Sequence, residues 1–263
     1  MVFEFNYILV GLMQIVGFFV QGCTGFGCTV IAASVTNGFL GTEIGVPYGT
    51  LITLPFLLYL GITGIKDVSW KDLGKIVVLC LPGLFIGNYL TSIISETQAR
   101  IGIGAMVTFI ATMNIYKCII KPLVLKHEVS DEDVPDTPIR IAVRYGALLL
   151  GGIVHGAFNI GGPLITVYTI AAVKQKEKFR NTMTWVWIVL NSINAVNFYN
   201  AGRLASPELW GSLAVGVPMA GVGFYFGMRY LAKINREQFL RVVYVVLFII
   251  GADMLIRNLM VLF

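Results

Sequence analysis

The sequence predicts an all-α integral membrane protein built from two inverted-topology repeats, each a glycine-broken helical hairpin plus three transmembrane helices. Of the 263 residues, 57% are hydrophobic and 13% are charged, and this charged share is about half of that found in soluble domains. Apolar segments alternate with short polar or glycine-rich breaks, and short strings recur in the same order in the two halves. These three observations define the fold class.

Ten apolar segments follow one another along the chain. A bilayer core of about 30 Å needs about 20 apolar residues for one helical crossing, so this length holds little besides membrane helices. The segments cover residues 5–20, 28–41, 46–60, 76–94, 101–117, 144–157, 163–173, 182–200, 209–228 and 239–257. Because the hydrophilic stretch lies after the fifth segment, we expect repeats at 1–120 and 144–263 joined by a linker at 121–143.

Two pairs of segments are short and meet at glycine-rich junctions: 5–20 with 28–41, and 144–157 with 163–173. We expect each pair to form a hairpin that returns to the side it came from, either as a re-entrant loop or as two full crossings. In both cases, 16 of the 19 Lys and Arg fall on one side. Since basic loops stay in the cytoplasm, both termini are predicted to lie outside and the linker inside.

The two halves match each other at intervals of about 134 to 140 residues. A hairpin plus three crossings is an odd number of passes, so the second half must run upside down, as in many secondary transporters with a midplane site. The string GCTGFGC at 22–28 aligns with GAFNIGG at 156–162; Tyr59 and Trp70 match Tyr199 and Trp210; Pro82 and Gly87 match Pro218 and Gly223; Gln98 and Lys117 match Gln238 and Arg257.

The two junctions have the composition of an anion site. Glycine permits tight turns, and each junction precedes a helix whose first N–H groups and dipole attract negative charge. Close helix packing through small residues is the alternative. The predicted substrate-binding residues are Thr24, Gly25, Phe26, Gly27, Cys28 and Thr29 in the first half and Asn159, Ile160, Gly161, Gly162 and Pro163 in the second.

Further polar residues lie in the apolar segments. Asn191, Asn194 and Asn197 recur every three residues, so they either line a path or bond neighbouring helices; Asn194 is included in the predicted site. His155 abuts the second junction and is a candidate for proton coupling or an interhelical hydrogen bond. Asp253 is a second candidate for proton coupling, although Arg257 four residues later favours an ion pair.

Other functions are not supported by the sequence. Cys23 and Cys28 have no companion ligands, so we predict no metal site and no cofactor. The basic residues lie in short loops, which indicates membrane topology rather than nucleic-acid binding. The paired acids of an aspartyl protease and the Gly-x-Ser with a partnered His of a rhomboid-like enzyme are both missing. The expected partners are therefore a small anion, protons and membrane lipid.

The junction strings give the chain a family resemblance. Thr24 to Cys28 (TGFGC), Asn159 to Leu164 (NIGGPL) and Tyr199 to Gly202 (YNAG) make it similar to the TauE/SafE sulfite-exporter family, also called TSUP. The resemblance covers nearly the whole chain, with Cys28 and Asn159 standing where the family commonly has glycine. It implies transport, usually outward, of small sulfur-containing anions such as sulfite or organosulfonates. A passive anion channel, or a permease for another small organic anion, is the alternative.

Overall fold

The regular structure of the described residues is helical. The computed structural model describes residues 5–90, 96–120, 137–158 and 161–260, and the predicted linker lies largely outside them. The helices are α1 (Phe5–Thr24), α2 (Cys28–Thr63), α3 (Trp70–Leu90), α4 (Glu96–Ile115), α5 (Pro138–Phe158), α6 (Gly162–Ala172), α7 (Lys176–Asn200), α8 (Pro207–Lys233) and α9 (Arg236–Met260), with a 3-10 turn at Ile65–Asp67 and a π-helical turn at Tyr116–Ile120.

Five apolar stretches in the described residues are long enough to cross a membrane. They are Phe5–Thr24, Glu43–Thr63, Pro138–Gly156, Pro207–Lys233 and Glu237–Met260. Helix α6 is apolar but shorter, at 11 residues. Because helices satisfy their own backbone hydrogen bonds in lipid, this is a multi-pass α-helical membrane protein.

Glycine ends or interrupts the helices of the first half. Helix α1 continues to Thr24, beyond the predicted end at residue 20, and stops at Gly25, whose φ is +80°. Gly27, with φ +96°, precedes α2, and Gly41, with φ +72°, interrupts α2 between residues 28–40 and 42–63. Side chains disfavour these left-handed values. The predicted break between 28–41 and 46–60 is therefore confirmed.

The chain folds into two compact units, and each takes helices from both predicted halves. Unit 1 consists of Met1–Val77 and Ala172–Lys233, and so holds α1, α2, α7 and α8. Unit 2 consists of Val78–Ala171 and Ile234–Phe263, and so holds most of α3 with α4, α5, α6 and α9. The units do not follow the sequence division at 121–143, which stays a prediction about repeats.

In unit 1, α1 and α8 pack in parallel through glycines. A Cβ built on Gly22 would lie 2.6 Å from the Phe224 carbonyl oxygen, and a Cβ on Gly223 would overlap the carbonyl of Ile15. A Cβ on Gly211 would lie 3.1 Å from the Tyr7 ring. Small residues let membrane helices approach backbone to backbone, so side chains at these glycines would push α1 and α8 apart.

In unit 2, α3 and α5 pack in the same manner. A Cβ on Gly83 would lie 2.6 Å from the Leu149 carbonyl oxygen, and a Cβ on Gly156 would overlap the carbonyl of Leu84. The Cys80 thiol donates to the Leu148 carbonyl oxygen at 3.3 Å. This crossing therefore also depends on backbone contact rather than on large interlocking side chains.

Helices α2 and α7 run antiparallel within unit 1. Asn181 Nδ2 donates to the Gly64 carbonyl oxygen at 3.2 Å and Trp185 Nε1 to that of Gly61 at 3.3 Å. Further along α7, Asn191 Nδ2 donates to Thr53 Oγ1 at 3.1 Å, and Thr53 lies farther from the C-terminal end of α2 than Gly61 does. Residue numbers rise on α7 as they fall on α2, so the C-terminal end of α2 lies beside the beginning of α7.

Candidate functional site

The first junction is a buried turn held by its own polar groups. Residues 21–28 are all buried. Gly25 N donates to the Gln21 carbonyl oxygen at 2.8 Å, and Gln21 Nε2 donates to the Gly25 carbonyl oxygen at 3.1 Å. Thr24 Oγ1 lies 2.8 Å from the Phe26 carbonyl oxygen and accepts from Phe26 N at 3.3 Å. The Thr24 hydroxyl therefore fixes the turn through the backbone of Phe26 and is not a free donor.

Helix α2 begins directly after this turn. Its first helical hydrogen bond runs from Ile31 N to the Gly27 carbonyl oxygen at 3.0 Å. The N–H groups of residues 28–30 precede this bond, which is the usual state of a helix N-terminus. Cys28 is buried and Thr29 is partly buried. These backbone donors are the part of the predicted first site that suits an anion.

Arg180 packs on the first junction, and the sequence analysis missed it. A Cβ built on Gly25 would lie 2.7 Å from the Arg180 carbonyl oxygen and 3.1 Å from its Cγ. Arg180 Nε donates to Asn181 Oδ1 at 3.2 Å. Arg180 closes the basic run of residues 174–180, so charge counting assigned it to a cytoplasmic loop. The available signal was its position at the start of an apolar helix.

The partly buried Arg180 forms no ion pair within 4 Å in the part of the chain that the structure describes. The acids whose charge acts on it are Glu177 and Asp67, but Glu177 pairs with Lys176 at 3.3 Å. A desolvated guanidinium without a bound counter-ion is costly. This cation is therefore suited to receive an anion at the Gly25 turn.

The first junction lies at one end of unit 1 rather than halfway along its helices. Gly25 contacts Arg180 at the start of α7, and the neighbouring Asn181 bonds to Gly64 just beyond α2. Helix α1 has 20 residues, which at 1.5 Å per residue span about 30 Å. Helix α1 continues unbroken until Gly25, and the midplane position expected for the site stays a prediction.

The second junction lies in unit 2 and is described in part. Gly161, Gly162 and Pro163 are buried, whereas Asn159 and Ile160 lie outside the described residues. Ile165 N donates to the Gly161 carbonyl oxygen at 3.2 Å, which is the counterpart of the bond that opens α2.

Gly161 is required by close packing on α5. A Cβ there would lie 2.7 Å from His155 Cβ and would overlap the carbonyl of Gly151. The described glycines with positive φ are Gly25, Gly27, Gly41 and Gly202, so steric contact rather than a left-handed φ excludes a side chain at Gly161. His155 is buried on α5 beside this junction.

The remaining candidates lie apart from the first junction. The asparagine stripe divides, because Asn191 and Asn194 are buried while Asn197 is exposed. Asp253 forms the expected ion pair with Arg257 on α9. In the described residues, no group of three or more His, Cys, Asp or Glu could hold a metal ion.

This architecture defines the class of the protein. It is a multi-pass helical membrane protein whose helices are broken by buried glycine turns. The chain belongs to the TauE/SafE sulfite exporter family, whose model, described as sulfite exporter TauE/SafE, matches residues 7–254. The resemblance expected from the junction strings is confirmed. The chain is also 21% identical over 259 residues to the "Probable sulfite/organosulfonate exporter TauE" of Cupriavidus necator, with 94% of each chain covered. No solved structure matches the chain.

Proposed function

We propose that this protein exports small sulfur-containing anions, such as sulfite or organosulfonates, across the cytoplasmic membrane, and that the Gly25–Arg180 turn receives the anion from the cytoplasm. Family membership and the printed name of the relative support the substrate class. The observation that carries the site is Arg180, a cation without an ion pair among the described residues that packs against a glycine turn.

The chemistry of this turn suits an oxyanion. A guanidinium presents several N–H donors in a planar fork that matches two oxygens at once. The beginning of α2 adds backbone N–H donors and the positive end of its dipole. Gly25 allows Arg180 to approach the turn closely. A small anion with three oxygens has acceptors for both kinds of donor.

The charge distribution supports access from the cytoplasm. The end of unit 1 that holds Gly64 and Arg180 also carries the basic segments 65–75 and 174–180. Basic loops mark the cytoplasmic side, which leaves both termini outside and the linker inside. An anion that binds first at this end fits an exporter, because its substrate arrives from the cytoplasm.

The helix directions support an inverted repeat. Tyr59 of α2 and Tyr199 of α7 are equivalent at the offset of 140. These equivalent helices pack antiparallel in unit 1, which is the relation expected of segments from oppositely oriented repeats.

The glycine contacts give independent support to the repeat. The contact of Gly22 with the Phe224 carbonyl in unit 1 has a counterpart in that of Gly156 with the Leu84 carbonyl in unit 2. Gly156 lies 134 residues after Gly22, and Leu84 lies 140 residues before Phe224, so the offsets of the repeat convert the first contact into the second. The contacts of Gly223 and Gly83 follow the same rule, so Gly223 corresponds to Gly83 rather than to Gly87.

The second junction is proposed as the counterpart of the first in the second repeat. Gly161, Gly162 and Pro163 would present the N-terminus of α6, and Asn159 would supply a side-chain donor. His155 beside this junction is the proposed group for proton coupling, whereas Asp253 on α9 is occupied by its ion pair with Arg257. These roles are those of a transporter rather than an enzyme, because the solute is moved and no covalent bond to it is made.

Flux measurements distinguish a transporter from a passive anion channel. Purified protein in liposomes should release radiolabelled sulfite and sulfonates at rates that saturate with concentration, and unlabelled anion outside should accelerate exchange. Rates that rise linearly without exchange would instead favour a channel. Protein-free liposomes correct for passive leakage, and an imposed pH gradient tests proton coupling.

A further inference from the structure

The amide nitrogen of Asn191 is hydrogen-bonded, whereas its carbonyl oxygen is not. It lies in α7 of unit 1 with 4% of its surface exposed. Its Nδ2 donates to Thr53 Oγ1 on α2 at 3.1 Å. Thr53 Oγ1 in turn donates its proton to the Thr50 carbonyl oxygen at 2.7 Å. A hydroxyl has one proton to donate, so Thr53 can only accept from Asn191, and the orientation of the amide is fixed.

The carbonyl oxygen of this amide has no hydrogen-bond partner in the part of the chain that the structure describes. A buried acceptor without a donor is destabilising, and an alanine or leucine would avoid the problem. The bond to Thr53 joins α7 to α2, but it uses only the amide nitrogen of Asn191. Helix packing thus explains the nitrogen and not the oxygen. The oxygen is therefore available to a ligand that brings a donor.

The surroundings determine which donor fits. Helices α1, α2, α7 and α8 of unit 1 each have a 20-residue stretch without Asp, Glu, Lys or Arg. These stretches are 5–24 of α1, 44–63 of α2, 181–200 of α7 and 209–228 of α8. Divalent cations such as Mg²⁺ and Ca²⁺ prefer carboxylate ligands, and these segments supply none. A fully deprotonated oxyanion has only acceptors to present to Asn191 Oδ1. A hydroxyl group satisfies this oxygen without adding a formal charge.

We propose that Asn191 Oδ1 accepts a hydrogen bond from the O–H group of a singly protonated oxyanion during its transport. On the proposed function, this solute is hydrogen sulfite, HO–SO₂⁻. Asn191 then distinguishes hydrogen sulfite from anions of the same charge that lack an acidic hydroxyl. Thr53 is a positioning residue, because it holds the amide in the accepting orientation.

Methanesulfinate is the matched probe, since a methyl group replaces the hydroxyl of hydrogen sulfite while charge and shape are kept. In liposomes that contain the full chain, wild-type protein should transport hydrogen sulfite about tenfold faster, the value of one hydrogen bond to a charged group. Asn191→Leu should remove this preference by slowing hydrogen sulfite while methanesulfinate keeps its rate. Sulfite flux should also fall as the pH rises and the solute loses its proton.

Asn197→Leu is the control, because Asn197 is exposed on the same helix. Equal rates of the two anions in wild-type protein would overturn the proposal, and this test holds even if Asn191→Leu fails to fold. Equal slowing of both anions in a folded Asn191→Leu variant would indicate a structural role and also contradict it. Wild-type transport of neither anion would contradict the proposed function itself.

Discussion

Replacing Arg180 by glutamine is expected to weaken anion binding with little change in folding. Arg180 packs against the Gly25 turn through its backbone and Cγ, and glutamine keeps those atoms. What it loses is the charge and the forked donor. A hydrogen bond to a charged group contributes about 1.5–3 kcal/mol, so Kd should rise by roughly ten- to a hundredfold. Arg180→Lys keeps the charge but not the fork and should be intermediate.

The assay is isothermal titration of purified protein with sulfite and with a sulfonate, followed by flux in liposomes. Arg229→Gln is the matched control, since the exposed Arg229 belongs to the same unit and stacks on Tyr225 with its guanidinium carbon 4.9 Å from the ring centroid. The control should bind like wild type. Unchanged affinity in a folded Arg180→Gln variant would refute the assignment of the first junction as the cytoplasmic anion site.

Three further predictions concern the junctions, the last helix and the topology. Gly27→Val should abolish sulfonate binding in titration because φ is +96°, and Gly161→Val should stop flux because of contact with α5. Gly38→Val, which meets open space, should bind and transport normally, and unchanged binding and flux in both junction variants would remove the junctions from the transport function. Asp253→Asn should leave the pH dependence of flux nearly intact, because its carboxylate pairs with Arg257, and loss of proton-driven flux in a folded variant would assign Asp253 to coupling. Cysteines placed at 127–138 should react with impermeant reagents only from the cytoplasm, and labelling from outside intact cells would contradict the topology.

Helix breaks and fold class could be predicted because they depend on local chemistry. Apolar length determines which segments cross lipid, and a left-handed φ selects glycine, as at Gly27 and Gly41. The Asp253–Arg257 pair was predictable for the same reason, since residues four apart share a helix face. Each of these features needs only neighbouring residues.

Arg180 and the two compact units could not be predicted because they depend on contacts between distant segments. The packing of Arg180 on Gly25 joins residues 155 positions apart. Charge counting recorded only that Arg180 lies near a loop. The end of α1 was also missed. This helix continues past residue 20 through Gln21 and Thr24, two polar residues whose hydrogen bonds are made locally.

Efflux of radiolabelled sulfite from liposomes that contain the wild-type protein or Arg180→Gln tests the central claim most directly. We expect saturable efflux above that of protein-free liposomes in the wild type, and at least tenfold weaker apparent affinity in the variant. Wild-type efflux equal to that of protein-free liposomes would contradict sulfite export, and identical saturation curves for the two proteins would contradict the role of the Gly25–Arg180 turn.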